Sequence, residues 1–291
     1  MNAKTVKLEG GLYFVATPIG TARDITLRAL DILASADVLA AEDTRSMRRL
    51  MDIHGIALGD RPLMSYHDHN GARARPRLMQ YLAEGRSVAY ASEAGTPLIA
   101  DPGYDLSIEA ATAGYFVTSA PGPTAIATAL TLAGLPTDKF LFAGFLPNSK
   151  SARISAIETL REVPATLVFY ESPKRIGAML LDCQSVLGDR KAAVCRELTK
   201  KFEEIRRGTL GELAVGMKEK PVKGEIVVVI DRAGQSTVNP SDLEADLRDA
   251  LSRMTVRDAS DVVAGAHGLP RRKVYQLALG LDRDNEQADD G

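Results

Sequence analysis

Residues 92–103, SEAGTPLIADPG, place glycine, proline and polar side chains directly after a short apolar run. That run, Ser87–Ala91, has the length and composition of a buried β-strand. Because open α/β sheets bind ligands at the carboxyl ends of their strands, the stretch indicates a loop that binds a small molecule. Gly95 allows a close approach of the backbone, Thr96 offers a hydroxyl, and Pro97 fixes φ while removing a donor. The alternative is an ordinary turn, which is common after strands in any α/β protein.

Two further loops have the same character. Residues 17–21, TPIGT, follow the first predicted strand and precede a predicted helix. Residues 121–124, PGPT, follow the predicted strand Phe116–Ala120 and open the small-residue helix Ala125–Ala133, whose free amides could receive polar or negative ligand groups. Residues 101–103, DPG, are interpreted as turn chemistry that opens another helix.

Composition and charge are those of an ordinary soluble globular protein. The 291 residues suggest about two domains, and 45% of the residues are hydrophobic, 25% are charged and none is Trp. The net charge of −2 provides no overall attraction to nucleic acid, so such binding would come from local patches. The two cysteines, Cys183 and Cys195, have no metal-type spacing and favour a reduced setting.

The sequence lacks several signals whose absence narrows its class. The amino terminus has no apolar signal-peptide core, and the apolar run 125–135 is shorter than the roughly 20 residues of a membrane helix, so we expect a cytoplasmic protein without a membrane span. Neither G-x-G-x-x-G nor G-x-x-x-x-G-K-[ST] occurs, which argues against a dinucleotide-binding enzyme and against a P-loop enzyme. His67 and His69 have no third ligand nearby in the sequence, so we predict no metal site and expect Asn70 to cap a helix.

Two carboxylates end the next predicted strand. Residues 37–41 are followed by EDTR at 42–45, which puts two carboxylates, a hydroxyl and a guanidinium at the carboxyl end of a strand. This favours an active-site position, because carboxylates can transfer protons. The structural alternative is that Asp43 caps the following helix.

Two basic stretches stand out in an acidic protein. Residues 45–77 carry seven arginines against three aspartates. Such a stretch can hold a polyanion, although a solvated helix face explains it more often. The second stretch, RRK at 271–273, opens a predicted helix to residue 281, where side chains and free amides favour phosphate. With a helix predicted at 255–266 this forms a helix-turn-helix-like outline, although paired helices more often only pack together.

The order of the predicted elements indicates an α/β protein with two domains and a small carboxy-terminal helical segment. Strands alternate with helices in residues 1–137, which we take as an amino-terminal α/β domain. Residues 138–234 are predicted to form a second α/β domain that ends in antiparallel strands. We expect two or three helices in residues 240–281 and an acidic tail without fixed structure in residues 282–291.

Nine motifs occur in an order that resembles a known family. They are TPIG with DIT, AAEDTR, HDHN, SEAGTPLIADPG, PGP, GFLP, FYES, RELTK and KGE. Over residues 11–281 the chain resembles the tetrapyrrole methylase superfamily, and specifically its ribosomal RNA branch. The resemblance implies a two-domain enzyme, usually a homodimer, that holds S-adenosylmethionine in the cleft between its domains. Residues 1–137 would then be the cofactor-binding domain, and residues 138–234 would complete the cleft. It also implies methyl transfer to the 2′-oxygen of a cytidine in 16S rRNA, with the 30S subunit as the setting.

The motifs and charges assign roles to particular residues. The cofactor-binding residues are expected to be Pro18, Gly20, Glu93, Gly95, Thr96, Pro97, Pro121, Gly122, Pro123 and Thr124. The catalytic candidates are Glu42, Asp43, Glu171 and Lys200, with Arg196 and Glu197 in the same motifs, and which of them accepts a proton stays open. The RNA-binding candidates are Arg45, Arg48, Arg49, Arg271, Arg272 and Lys273. The chain departs from the family where Glu93 replaces the usual Asp and where Thr21-Ala22-Arg23 replaces the usual Asn-Leu-x.

Other functions are weighed against the leading one. A small-molecule methylase that acts on a tetrapyrrole is the alternative, because one fold can serve both chemistries. The two basic stretches argue against it, since a small substrate needs neither. The cofactor loops argue against a ribosome-binding protein without catalysis. Glu197 and Lys200 could instead form a catalytically silent surface ion pair.

Overall fold

Five parallel strands form the first sheet of the computed structural model, which describes residues 3–233, 240–267, 269 and 271–289. The strands are β1 (Gly11–Val15), β2 (Val38–Ala41), β3 (Leu63–Ser65), β4 (Ser87–Ala91) and β5 (Phe116–Ala120). Their order is β3-β2-β4-β1-β5, and all pairs are parallel, so the carboxyl ends share one edge. The predictions of β4 and β5 are confirmed with the same bounds. Strand β3 was not predicted, because its three residues are too few and too exposed to show the hydrophobic pattern of a strand.

Helices cover both faces of this sheet. They are α1 (Leu27–Ser35), α2 (Thr44–Ile53), α3 (Gly71–Ala83) and α4 (Tyr104–Thr112). Helix α5 (Ala125–Ala133) follows β5. Strands β1 and β4 are buried at every residue, as their continuous small and apolar composition requires in a parallel sheet. Apolar side chains of α1 and α2 pack on one face, and those of α3 and α4 pack on the other.

The second sheet is mixed. Its strands are β6 (Phe140–Phe145), β7 (Thr166–Glu171), β8 (Lys191–Arg196), β9 (Glu204–Thr209) and β10 (Ile226–Ile230), in the order β6-β7-β10-β8-β9. Only β6 and β7 are parallel, which confirms the expectation that the last strands run antiparallel. Helices α6 (Lys150–Glu158), α7 (Ile176–Leu187) and α8 (Leu210–Glu219) cover one face of the sheet.

Helix α5 covers the other face of the second sheet. Ile126, Ala129 and Leu130 of this helix share one apolar cluster with Val168 and Val227 of the sheet. The small residues of α5 permit this close packing. As a result, the shared edge of the first sheet faces the second sheet.

The carboxy-terminal segment consists of α9 (Pro240–Leu251), α10 (Val256–His267) and α11 (Arg271–Asp289), which pack around Leu247, Val263 and Val274. The α/β fold with a carboxy-terminal helical segment is thus confirmed. The expectation of a tail without fixed structure is wrong up to Asp289. Adding a residue to an existing helix costs little free energy when that residue has good helix propensity, as glutamate, glutamine and alanine do. In the described part of the chain, no helix combines the length and apolarity needed to cross a bilayer.

A buried ion pair joins α6 to α7. Arg153 donates to the Asp182 carboxylate at 2.7 Å, and only 8% of each side chain is exposed. Arg153 also donates to the carbonyl oxygens of Pro147 and Asn148. The guanidinium therefore has several acceptors, but among the described residues Asp182 is the only carboxylate paired with it.

Replacing Asp182 by alanine is expected to lower the free energy of unfolding by about 3 to 5 kcal/mol, because it leaves the Arg153 charge buried without a counterion. Urea unfolding followed by circular dichroism measures the change. The control is Asp138→Ala, which removes an exposed partner of Arg232 and should cost much less. Equal losses in the two variants would contradict the prediction.

Candidate active site

A cavity of about 850 Å³ lies between the two sheets. The first sheet contributes the loops that follow β1, β2, β4 and β5, and the second contributes residues of all its strands except β9 together with neighbouring loops. Open α/β sheets bind ligands at this edge. The loops predicted from three separate stretches of sequence therefore converge on one cavity.

Six of the ten expected cofactor-binding residues line the cavity. They are Pro18, Gly20, Glu93, Gly95, Thr96 and Thr124. The other four, Pro97, Pro121, Gly122 and Pro123, do not line it. A Cβ on Gly122 would lie 2.9 Å from the Cβ of Ala16, so packing accounts for a glycine at this position.

Hydrogen bonds tie the three loops together. Thr17 and Gly95 exchange backbone hydrogen bonds of 2.9 and 3.0 Å. The Thr96 hydroxyl donates to the Pro123 carbonyl oxygen at 3.0 Å. Gly95 has a φ of 82°, a conformation that glycine adopts without strain. The loops thus form one connected wall before any ligand arrives.

The loop after β1 also touches the second half of the chain. A Cβ on Gly20 would lie 2.4 Å from the Thr199 Oγ1 and 2.7 Å from the Lys200 Cγ. The Thr21 amide donates to the Thr199 hydroxyl at 3.2 Å. Thr21 stands where the family usually has Asn. The contact observed here is made by the backbone amide, which any residue except proline could supply.

The two carboxylates of the EDTR motif have different environments. Glu42 lines the cavity, and its Oε2 accepts from the Glu93 amide at 3.1 Å. Asp43 does not line it, and instead its carboxylate accepts from the Arg45 amide at 2.8 Å and caps α2. This hydrogen bond lowers the pKa of Asp43. The structural alternative for Asp43 is the one observed.

Lys200 lines the cavity but is held by two carboxylates. Its Nζ donates to Glu197 at 3.0 Å and to Glu225 at 2.7 Å. Burial lowers its pKa, but these two partners outweigh burial and raise the pKa overall. Lys200 is therefore protonated near neutral pH and cannot accept a proton. Arg196 is paired with Glu204 instead.

Glu171 lines the cavity at the end of β7 and is almost fully buried. One carboxylate oxygen accepts from the Ser172 amide at 2.7 Å, and the other lies 3.2 Å from the Arg175 guanidinium. Its charge is thus balanced within the second half of the chain.

Asp101 is a cavity residue that the sequence pattern assigned only to a turn. Burial raises its pKa to about 6, the carboxylates of Glu42, Glu93 and Asp68 add to the shift, and the nearby Ser92 hydroxyl opposes it. The available signal was its place in a ligand-type loop after a strand. Tyr170 and Glu225 of the second half also line the cavity and were not predicted.

The arginines of residues 45–77 do not form one continuous basic surface. Arg45, Arg48 and Arg49 are exposed on α2, and Arg49 also lines the cavity. Arg61 instead donates to backbone carbonyls at the end of α1. Arg75 pairs with Asp105 and Glu109. The α2 arginines therefore form the basic patch of this stretch beside the cavity.

The second basic stretch is exposed on the first turn of α11. Arg271 forms an ion pair with Asp261 of α10, whereas Arg272 and Lys273 have exposed side chains. The stretch lies in the small helical cluster and does not line the cavity.

The HDHN motif precedes α3. Asn70 is the N-cap residue of α3, as expected, but its side chain forms no hydrogen bond to an amide of the helix. Its Oδ1 accepts instead from the His67 amide at 2.8 Å. The rings of His67 and His69 contact each other edge to face. Among the described residues, no three His, Cys, Asp or Glu side chains are arranged to hold a metal ion.

Comparison with known sequences gives two family matches. Residues 11–214 match the family described as Tetrapyrrole (Corrin/Porphyrin) Methylases, and residues 237–282 match the RsmI C-terminal HTH domain. A protein of Mesorhizobium japonicum named ribosomal RNA small subunit methyltransferase I is 46% identical over 290 residues, which cover 98% of this chain and 96% of the relative. A protein of the same name from Escherichia coli O157:H7 is 40% identical over 275 residues, covering 93% and 95%.

Solved structures share the fold. A conserved hypothetical protein of Aeropyrum pernix K1 superposes with a TM-score of 0.61 at 17% identity, covering 96% of this chain and 98% of that chain. Uroporphyrin-III C-methyltransferase of Thermus thermophilus, complexed with S-adenosylhomocysteine, superposes with a TM-score of 0.54 at 18% identity, covering 76% and 97%.

The fold, the cavity and these matches define a methyltransferase of the tetrapyrrole methylase class. The second family match and the near full-length relatives narrow the class. The chain belongs to the family of ribosomal RNA small subunit methyltransferase I.

The raised pKa of Asp101 should appear in the pH dependence of stability. Between the ordinary aspartate pKa of about 4 and about 6, the folded protein binds more protons than the unfolded chain, so its stability falls as pH rises. Asparagine does not ionise, so the Asp101→Asn variant should not lose stability in this way. Its free energy of unfolding should rise relative to that of the parent between about pH 4 and about pH 6. Urea unfolding from about pH 4 to about pH 8 measures the gain. The exposed Asp60→Asn variant controls for the loss of one charge, and parallel parent and Asp101→Asn curves would contradict the prediction.

Proposed function

We propose that the protein transfers the methyl group of S-adenosylmethionine to the ribose 2′-oxygen of a cytidine in 16S rRNA, within the 30S subunit. The observation that carries the proposal is the convergence of three strand-end loops on one cavity in a chain whose near full-length relatives are named rRNA methyltransferases. The cytidine and the 2′ position come from the motif resemblance.

The lining of the cavity suits S-adenosylmethionine. The loops after β1, β4 and β5 offer backbone groups at several points, which a ligand with a carboxylate, an amine and an adenosine requires. Glu42, Glu93 and Asp101 place negative charge around the cavity, which favours a sulfonium cation over a phosphate ligand. The S-adenosylhomocysteine in the Thermus thermophilus relative supports the same chemistry on this fold.

The protein's own contribution is mainly positioning. S-adenosylmethionine would supply the methyl group at a cationic sulfur. The hydrogen-bonded loop wall would hold it in one orientation, and the second sheet would present the acceptor from the opposite side of the cavity. Alignment of the two reacting atoms can supply much of the rate enhancement of such a displacement.

RNA would bind outside the cavity, to basic side chains that cofactor binding does not require. Arg49 stands at the cavity with Arg45 and Arg48 on the same helix, and Arg272 and Lys273 are exposed on α11. The match of residues 237–282 to a helix-turn-helix domain supports a nucleic-acid role for the carboxy-terminal segment.

A homodimer and a cytoplasmic location complete the proposal. The exposed Phe140 and Leu141 on the edge strand β6 favour an interface there.

The alternative is methylation of a tetrapyrrole, because two solved proteins of the same fold are named cobalt precorrin-4 methyltransferase and uroporphyrin-III C-methyltransferase. A fold alone does not decide the substrate. The carboxy-terminal segment and the relatives over the full chain favour RNA. Methyl transfer assayed side by side with 16S rRNA, 30S subunits and a porphyrinogen decides between them, and transfer to the porphyrinogen alone would refute the proposal.

The Gly95→Leu variant should lose measurable S-adenosylmethionine binding, because it forces a side chain and a strained φ into the loop wall. Isothermal titration calorimetry measures the affinity, and circular dichroism confirms the fold. Gly59→Leu is the matched control, since Gly59 also has a positive φ of 60° but lies in an exposed turn with no atom within 4 Å of its built Cβ. Unchanged affinity in a folded Gly95→Leu protein would place the cofactor elsewhere.

The Arg272→Glu, Lys273→Glu variant should bind 30S subunits more weakly and with a flatter salt dependence, by roughly 0.7 to 0.9 in logarithmic slope for each phosphate that the protein no longer neutralises. It retains Arg271, which pairs with Asp261, so the helices should keep their packing. The control with the same charge change is Lys218→Glu, Lys220→Glu at the exposed end of α8. Filter binding across salt concentrations measures the slopes, and identical slopes in the two variants would remove α11 from the RNA-binding surface.

A further inference from the structure

Most carboxylates of the cavity already have a partner in the described chain. Glu42 accepts from the Glu93 amide, Glu171 is paired with Arg175, and Glu225 is paired with Lys200. Among the described residues no lysine, arginine or histidine forms an ion pair with Asp101. Its carboxylate is partly buried near the Ser92 hydroxyl, whereas Glu93 is exposed. A carboxylate without a counterion in a cavity retains the capacity to take up a proton.

The loop that carries Asp101 is strained and firmly held. Leu98 and Ala100 have φ values of 70° and 61°, which non-glycine residues seldom adopt. Such strain persists only where the surroundings hold the backbone, and it is typical of active sites. The surroundings here are visible: the buried Tyr90 hydroxyl donates to the Pro102 carbonyl oxygen at 3.1 Å. A Cβ on Gly103 would lie 3.1 Å from the Tyr90 ring. The position of Asp101 is therefore fixed from the side of the core.

Three carboxylates that follow other strand ends repel the negative charge of Asp101. Glu42 follows β2, Glu93 follows β4 and Asp68 follows β3, and all three add to the burial that raises its pKa to about 6. Across the cavity lies Tyr170 of β7, whose pKa burial raises to about 12, with further contributions from Asp101 and Glu225. Asp101 is thus electrostatically coupled to both halves of the chain. At neutral pH it is still mostly ionised, yet it holds a proton more firmly than an ordinary aspartate, as an efficient general base requires.

We propose that Asp101 is the catalytic base that accepts the proton of the ribose 2′-hydroxyl during methyl transfer. This inference rests on the proposed function. The 2′-oxygen forms a bond to the methyl carbon while the carbon–sulfur bond breaks, and the electron pair of that bond goes to sulfur, which becomes a neutral thioether. The hydroxyl proton goes to the Asp101 carboxylate and then to solvent. Lys200 cannot take this role while its Nζ is protonated between Glu197 and Glu225.

The test compares the parent with Asp101→Asn, which retains the shape of the side chain and removes the base. The expected result is a fall of about 100-fold to 10,000-fold in kcat, with KM for 30S subunits and the calorimetric affinity for S-adenosylmethionine unchanged within about 3-fold. In the parent, kcat should rise with pH through about 6 and then level off, and in Asp101→Asn this rise should be absent. The control Asp68→Asn removes an exposed charge that Asp101 faces and does not line the cavity, so its kcat should stay within about 3-fold of the parent.

The outcomes separate the two proposals. A parent protein that transfers no methyl group to 16S rRNA or to 30S subunits refutes the proposed function, and with it this step. An active parent with parent-like kcat in Asp101→Asn refutes Asp101 as the base and leaves the proposed function standing. An Asp101→Asn protein that loses S-adenosylmethionine binding but retains the pH-dependent rise at saturating cofactor makes Asp101 a cofactor ligand, and this also overturns the inference.

Discussion

The packing of α5 on the second sheet is the interaction on which the arrangement of the site depends. Its residues Ile126, Ala129 and Leu130 are apolar on the face that meets Val168 and Val227. Burial of this face turns the carboxyl edge of the first sheet toward the second sheet. Because the loops at that edge come from different parts of the chain, the packing of one helix places all of them around one cavity. At the same junction, Thr199 and Lys200 lie so close to residue 20 that only glycine fits there.

Charge is divided between the inside and the outside of the site. The interior carries carboxylates, of which Glu42, Glu93 and Asp101 have no ion-pair partner among the described residues, and this suits a cationic donor. Exposed cations lie on α2 beside the cavity and on α11 in the helical segment. A negative interior would repel a phosphate backbone, so RNA binding is consistent with contacts outside and entry of a single nucleotide.

Several candidates from the sequence turn out to have partners that limit their role. Asp43 caps α2, Lys200 is held between two carboxylates, and Arg61 satisfies backbone carbonyls of α1. Sequence spacing offered the Asp43 cap and the Glu197–Lys200 pair only as alternatives, because it cannot decide between two local hydrogen bonds. It could not reveal Glu225 or the carbonyls that bind Arg61, because folding brings these atoms near. The residue that takes their place as candidate base, Asp101, lies in the most informative stretch of the sequence and was taken for a turn residue.

The sequence by itself determined the fold class, the strands β4 and β5, and the three loops that end first-sheet strands. These follow from local rules: apolar runs of strand length, and glycine and proline where the backbone turns. The division into domains at residues 137 and 234 stays a prediction. Only the tertiary structure decided which loop residues reach the cavity, which charges are neutralised, and why Asp101 has a raised pKa. Burial and the approach of Glu42, Glu93 and Asp68 from separate strand ends are properties of the folded chain, because no local stretch contains them.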